Sequence, residues 1–281
     1  MAIHLGENSY GTARVRVLRV ARQEGRHDIK ELTLAIHFEG DFEAAHRKGD
    51  NRKILPPDTI KNTVYALARQ HSMETAESFC LHLVDHFLTY NTQISRVRIE
   101  AVENVWTRLP RGDKPRATSF ARAGEERRTA MLNATREGTE IRAGIDGLAV
   151  LKTSKSSFEN FRKDPFTTLE NDPIRILCTV LRADWLYAGE EIEYGQIWHG
   201  VREMLLEAFA EHETQSLQHT VYAMGETILN NFDQVREIHL ALPDKRFPLI
   251  DLAPLGTDNP GNVYLPTDEP FDLAEATLRR D

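Results

Sequence analysis

The sequence predicts an α+β fold in which the two halves of the chain repeat one order of strands and helices. Three observations support it: segments with period-two alternation, segments with apolar residues at helical spacing, and the return of the same order in the second half. At 281 residues the chain is long enough for two modules. We expect a first half at residues 1–139 and a second at residues 140–281, each an antiparallel sheet with helices on one face.

The first half begins with two strands, followed by two helices. Apolar residues alternate with polar ones over residues 13–21 and again over 30–38, as in a β-hairpin. The apolar spacing then becomes helical behind Asp58, which we expect to be the N-cap of the first long helix. A second helix is predicted over residues 79–90.

Two more strands complete the first half, at residues 94–109 and 127–135. The charged run at 125–128 is expected to be a solvated strand end. The second half repeats the order strand, strand, helix, helix, strand, strand. Its elements are predicted at residues 141–152, 174–185, 197–208, 217–228, 235–242 and 247–252.

Composition and charge favour a small-molecule ligand. The formal net charge is −8 and the basic residues are spread along the chain, which argues against nucleic acid as a partner. The sequence has neither a signal-peptide pattern at its start nor an apolar run of about 20 residues, so no membrane partner is expected. Cys80 and Cys178 lie in apolar periodic segments, which indicates buried thiols in a reducing compartment, and we expect a cytoplasmic location.

Many short segments in a fixed order resemble one family, the urate oxidases (uricases), whose members have the tunnelling fold, or T-fold. The matching segments are residues 10–11, 15–18, 49–51, 58–66, 147–152, 157–158, 166–169, 175–177, 216–218, 242–245 and 250–252. The resemblance implies a homotetramer with a barrel-like central tunnel and active sites shared between two subunits. It also implies the reaction of urate with O2 to 5-hydroxyisourate and H2O2, without metal or organic cofactor.

The positions that hold the ring in this family have suitable residues here. Phe158 would stack on a flat heterocycle, and Arg175 would clamp one edge with two parallel hydrogen bonds. Gln218 would present its amide to the opposite edge, beside the aliphatic Leu217. The backbone N–H of Asp58 would point at the ring from the neighbouring subunit.

The four reactive positions of the family are all replaced. Thr12, Pro57, Asp244 and Arg246 stand where the family has a lysine, a threonine, an asparagine and a histidine. A threonine hydroxyl is a poor base, a proline offers neither hydroxyl nor N–H, and an arginine stays protonated. We keep these four as the candidate catalytic positions.

Asp244 and Arg246 are two residues apart in an extended segment, so they could share one face and form an ion pair. In one interpretation, this ion pair only stabilises the fold. In the other, Asp244 is a general acid or base whose pKa Arg246 sets.

The leading hypothesis is a uricase-like, cofactor-independent oxidoreductase acting on urate or a closely related purine-type ring. One alternative is a repurposed enzyme that uses Asp244 and Arg246 for different chemistry on a purine- or pteridine-like ring. Another is a heterocycle-binding protein without catalytic activity.

Overall fold

The computed structural model describes residues 3–110, 112, 114–267 and 270–281. These residues form two compact units. The first consists of the described residues up to Gly144 together with Gly189–Gln196, and the second of Ile145–Ala188 and the described residues from Ile197 onward. None of the helices in these described ranges is long and apolar enough to cross a membrane.

The first unit is an antiparallel sheet with helices packed against it. Its elements are β1 (Tyr10–Gln23), β2 (Arg26–Gly40), α1 (Glu43–Lys48), α2 (Pro57–Gln70), α3 (Ala76–Tyr90), β3 (Ile94–Arg108) and β4 (Phe120–Ala134). The strands pair in chain order, and one row of buried residues crosses the sheet from Val15 to Leu34, Ala101 and Ala130. Helix α2 packs on β1, and α3 packs on β3 and β4. This apolar layer between sheet and helices is the core of the unit.

Helix α2 begins two residues earlier than the sequence suggested. Pro56 is its N-cap and Pro57 its first residue, so the expectation that Asp58 is the N-cap is wrong. Proline suits the first helical position because its missing N–H would have no partner there. Asp58 lies in the first turn, where its carboxylate accepts a hydrogen bond from Lys61 at 2.8 Å and interacts favourably with the helix dipole.

The charged run at residues 125–128 is not solvated throughout. Arg128 is 4% exposed, and its Nη2 donates to Oε2 of the fully buried Glu77 at 2.7 Å. The alternation along β4 explains this, because Arg128 falls on the same face as the buried Ala130 and Leu132. The prediction of a solvated strand end considered charge alone and is wrong for Arg128.

The second unit repeats the element order of the first. Strand β5 (Thr139–Lys152) and helix α4 (Tyr194–Glu211) each cross the division between the units, and β6 (Leu177–Tyr187), α5 (Leu217–Asn231), β7 (Val235–Lys245) and β8 (Pro270–Arg279) follow. Strand β7 pairs antiparallel with β6 and β8. Helix α5 packs on β7 and β8, and it approaches β8 closely at Gly225, where an added Cβ would lie 2.8 Å from Leu278.

The last strand differs from the prediction. Residues 247–252 contain only an isolated bridge, from Leu249 to Tyr264, and the final strand is β8. The side chains of β8 that face the core include the small Ala274 and Ala276. Small residues give a weak hydrophobic alternation, so the pattern did not reveal this strand.

Candidate functional site

The second unit contains a pocket of about 1000 Å³ lined by six of the predicted site residues. Four are the predicted ring-binding side chains, Phe158, Arg175, Leu217 and Gln218, and two are candidate catalytic residues, Asp244 and Arg246. They come from the loop after β5, the segment before β6, the first turn of α5 and the end of β7. Residues far apart in sequence therefore share one cavity.

Backbone hydrogen bonds fix Phe158 and Arg175 relative to each other. The N–H of Phe158 donates to the carbonyl of Asp172 at 2.7 Å, and the N–H of Asp172 donates back at 3.0 Å. The N–H of Arg175 donates to the carbonyl of Ser156 at 3.0 Å. Asn160, just beyond Phe158, has a left-handed φ of 57°, a conformation that is uncommon for residues other than glycine and is found at binding sites.

The start of α5 is tied to the same frame. The N–H of Ser157 donates to the carbonyl of Thr214 at 2.8 Å, and the hydroxyl of Thr220 donates to the hydroxyl of Thr214 at 3.0 Å. Ser216 caps the helix by accepting from the N–H of His219 at 3.1 Å. The first turn therefore holds its Gln218 side chain, which is exposed, at the wall of the pocket.

An aromatic pair forms the flat wall of the pocket. The half-buried Phe158 ring stacks on Phe161, with centroids 5.0 Å apart and planes 9° from parallel. Phe161 restrains the orientation of Phe158 from one side. Phe158 is a pocket-lining ring, and a flat π system is the complement of such a face.

Arg175 pairs with Asp244. Its Nη2 donates to Oδ2 of Asp244 at 3.3 Å, and the side chains are 16% and 3% exposed. The guanidinium of Arg175 is therefore paired with a carboxylate of β7 before any ligand binds.

Asp244 is buried without full compensation. Its Oδ1 accepts no hydrogen bond from the described residues. The hydroxyl of Thr179, the residue opposite Asp244 on β6, also has no hydrogen-bond partner among them. Burial raises the pKa of Asp244, and Asp272 on β8 adds to the rise. The nearby charges of Arg175 and Arg246 act in the opposite direction.

Asp244 and Arg246 do not form the ion pair that their spacing allowed. Arg246 donates to Oδ2 of Asp272 at 2.8 Å, while Asp244 is bound by Arg175. The spacing argument assumed a continuous strand, but β7 ends at Lys245, and its register with β8 shifts between Asp244 and Lys245. The charge of Arg246 still lowers the pKa of Asp244.

The other three predicted site residues lie in the first unit. Thr12 is a half-buried residue of β1, directly before a bulge in the pairing with β2. Pro57 and Asp58 are exposed in the first turn of α2. The lining of the second-unit pocket comes from second-unit residues.

The sequence did not reveal Asp272 and Phe161. Asp272 lies opposite Asp244 in the β7–β8 pairing, on the strand that the hydrophobic pattern missed. Phe161 lies in an irregular loop, where no periodicity indicates which side chains meet. The three-residue spacing from Phe158 was the only signal in the sequence.

An aromatic wall, a planar cation and a primary amide around one cavity are the groups that recognition of a flat heterocycle with polar edges requires. The comparisons with known proteins are specific. The Uricase family model matches residues 8–133 and 141–275. The chain is 40% identical to the uricase of Arthrobacter globiformis, over 99% of this chain and 90% of that protein. It is 33% identical to the uricase of Aspergillus flavus, over 96% and 95%.

Solved structures agree with the sequence comparisons. The crystal structure of uricase from Arthrobacter globiformis matches with a TM-score of 0.94, covering 100% of this chain and 96% of that one. The chain belongs to the uricase family, and the predicted α+β T-fold is confirmed.

Proposed function

We propose that this uricase-family oxidoreductase acts on urate or a closely related purine-type heterocycle in the second-unit pocket. The observation that carries the proposal is that Phe158, Arg175, Leu217 and Gln218 line one cavity. Each has the chemistry that a flat ring with lactam edges requires.

The residues divide the work of holding the ring. Phe158 covers one face of the ring. Arg175 donates to an oxygen or nitrogen on one edge, because a guanidinium retains further N–H groups after it binds Asp244. Gln218 offers both a donor and an acceptor to another edge. A ring held at both edges and on one face is fixed in orientation toward a co-substrate such as O2.

The reactive side of the site depends on what replaces the family's lysine, threonine, asparagine and histidine. Of the four, Asp244 is the carboxylic acid; it lines the pocket, and burial raises its pKa. It is the candidate proton acceptor or donor. The alternative in which Asp244 and Arg246 act as a pair is not favoured, because each has a different partner.

We further propose that the protein is a homotetramer with shared sites, as the family resemblance implies. Thr12, Pro57 and Asp58 would then approach the pocket of a neighbouring subunit. The support is that these residues lie in the first unit, whereas the ring-holding residues lie in the second.

Urate oxidation in air tests the function. We expect loss of the ring absorbance, production of H2O2 and saturable ring binding by the purified protein. Arg175→Met should weaken ring binding by about 10- to 100-fold, since hydrogen bonds to a charged group contribute about 1.5–3 kcal/mol each. Arg182→Met is the matched control, because Arg182 pairs with Asp146 at 3.4 Å outside the pocket lining.

Two outcomes separate binding from chemistry. If no purine binds to the protein, the proposed ring-binding site is wrong. Binding without turnover would leave the site and remove the reaction. In that case Thr12→Lys, Pro57→Thr, Asp244→Asn and Arg246→His together should create urate oxidation, if the reactive groups alone are missing.

A further inference from the structure

The pocket has an excess of negative charge. Among the described residues, four carboxylates and two guanidinium groups line it, which is an excess of two negative charges. They belong to Glu170, Asp172, Asp244 and Asp272, and to Arg175 and Arg246. A cavity with lining charges of one sign repels a ligand of the same sign, and the effect grows as the ligand displaces water.

Both guanidinium groups are already bound to carboxylates. Arg175 lies 3.3 Å from Asp244, and Arg246 lies 2.8 Å from Asp272. An anionic ring at Arg175 would therefore meet the Asp244 charge within a few ångströms of the guanidinium that attracts it. The attraction that a lone arginine would give to an anion is largely cancelled.

Asp244 is only partly satisfied by hydrogen-bond donors. The side chain is 3% exposed, and its Oδ1 accepts no hydrogen bond within the described residues. The hydrogen bond that Oδ2 accepts from Arg175, at 3.3 Å, is long for a charge-assisted bond. The charged groups that face it are Arg175 before β6, Arg246 after β7 and Asp272 on β8. Burial raises its pKa despite the two arginines, so the carboxylate would be stabilised by a further donor.

We infer that Asp244 is a specificity-determining residue that makes this pocket prefer a neutral ring bearing N–H donors, such as an exocyclic amino group, over an anionic ring such as the urate monoanion. This inference rests on the proposed function, because it assumes that the second-unit pocket is the ring site. Within that function it ranks neutral, amino-substituted oxidised purines or pteridines above urate as ligands. A carboxylate accepts hydrogen bonds from an amino group and repels a carbonyl oxygen in the same place.

Urate and 8-oxoguanine are a matched pair of probes. The two purines have the same ring and the same oxygens at C6 and C8, and they differ at C2, where urate has an oxygen and 8-oxoguanine an amino group. At neutral pH urate is a monoanion and 8-oxoguanine is neutral. Any difference in affinity therefore reports charge and donor pattern and not ring size.

Equilibrium binding of both purines at neutral pH tests the inference. The wild-type protein should bind 8-oxoguanine at least about tenfold more tightly than urate, because the pocket lining carries an excess of negative charge. Asp244→Asn should lower this preference by about tenfold or more, because it removes the negative charge that repels an anion and frees Arg175 to bind one. Asp146→Asn is the matched control, since Asp146 also pairs with an arginine, at 3.4 Å, and does not line the pocket.

The outcomes distinguish the two proposals. If neither purine binds, the proposed ring site fails, and the inference fails with it. If both bind but the wild-type protein holds urate as tightly as 8-oxoguanine, the inference alone is overturned. An unchanged preference in a folded Asp244→Asn protein has the same consequence. If Asp244→Asn does not fold, the ratio of the wild-type affinities for 8-oxoguanine and urate still tests the inference.

Discussion

At the residue scale, the properties of an arginine depend on its neighbours as much as on its own charge. A lone Arg175 would be an anion clamp. Paired with Asp244, it becomes half of a neutral couple that presents donors and acceptors side by side. If Asp244 sets the specificity as inferred above, a carboxylate in place of an amide changes the class of ring that the pocket prefers.

The protonation of Asp244 should be visible in the stability of the protein. Its pKa in the folded protein is raised above the ordinary value of 3.8. In the pH interval between 3.8 and the folded pKa, the folded protein therefore holds a proton that the unfolded chain has lost. Folding stability from this group is present at low pH and is lost as the pH rises through the folded pKa. The melting temperature of the wild type relative to Asp244→Asn should fall across this interval and then level off.

Asp58 provides a control, because its pKa is shifted in the opposite direction from that of Asp244. The hydrogen bond from Lys61 lowers the pKa of this carboxylate, so its contribution is present above 3.8 and lost as the pH falls. The melting temperature of the wild type relative to Asp58→Asn should decline only at acid pH. Because this pair is exposed, the change should be small. Equal slopes for the two variants would contradict the assignment for Asp244.

The sequence predicted which residues share the pocket but not how their side chains pair. Phe158, Arg175, Leu217 and Gln218 could be found because each stands in a short matching segment. The pairing of Asp244 with Arg175 depends on where β7 ends and how β8 is registered against it. Those features arise from tertiary packing, which local spacing does not determine.

At the element scale, the pairing of β1 with β2 requires a glycine at position 11. A Cβ on Gly11 would lie 1.9 Å from the carbonyl oxygen of Ile36, which is backbone and cannot rotate away. Gly11→Ala should therefore shift the strands and destabilise the protein by about 2 kcal/mol or more. Thermal or urea unfolding measures the loss.

Gly138→Ala is the matched control for this substitution. An added Cβ at Gly138 meets nothing within 4 Å, so the change should be within about 0.5 kcal/mol of neutral. Equal stability of the two variants would show that β1 and β2 can separate without cost at Gly11.

The second residue of helix α3 and the second residue of helix α5 lie in different environments. Glu77 and Gln218 are each the second residue of their helix, behind the N-caps Thr75 and Ser216. In the first unit this side chain is fully buried in an ion pair, and in the second it is exposed and lines the pocket. One helix end therefore carries a buried ion pair, and the other presents a side chain to the pocket.

Removing one partner of the buried pair should be costly. Arg128→Met leaves Glu77 buried without its counter-charge and should destabilise the protein by about 3–5 kcal/mol. The double variant Glu77→Leu with Arg128→Met should recover most of that loss, because two apolar groups replace the pair. Urea unfolding of the three proteins measures this, and a double variant as unstable as Arg128→Met would contradict it.

The helices were easier to predict from sequence than the last strand. The apolar spacing of α2 and α3 spans several turns, so small errors at the ends leave the assignment intact. Strand β8 has alanines on its core face, and its place is set by α5 packing against it near Gly225. That information is spread over residues about 50 apart in sequence, which a local pattern does not read.

At the scale of the whole molecule, the two units have similar element orders but different contributions to the site. The second unit supplies the pocket and all of its lining. Under the proposed shared-site assembly, the first unit serves the pocket of a neighbouring subunit through Thr12, Pro57 and Asp58. The chain would then need both units, in two different copies, for one complete site.

Mixed oligomers test this arrangement directly. Arg175→Met should disable the pocket of its own chain, and Pro57→Trp should obstruct the pocket of the neighbour, so each variant alone should lose ring-binding sites. Random assembly of equal amounts should restore about a quarter of the sites, because each site needs one intact copy of each position. Titration of ring-binding sites per chain after co-expression measures this. If the mixture binds no more ring than the separate variants, each chain must form its own site, and the shared arrangement is wrong.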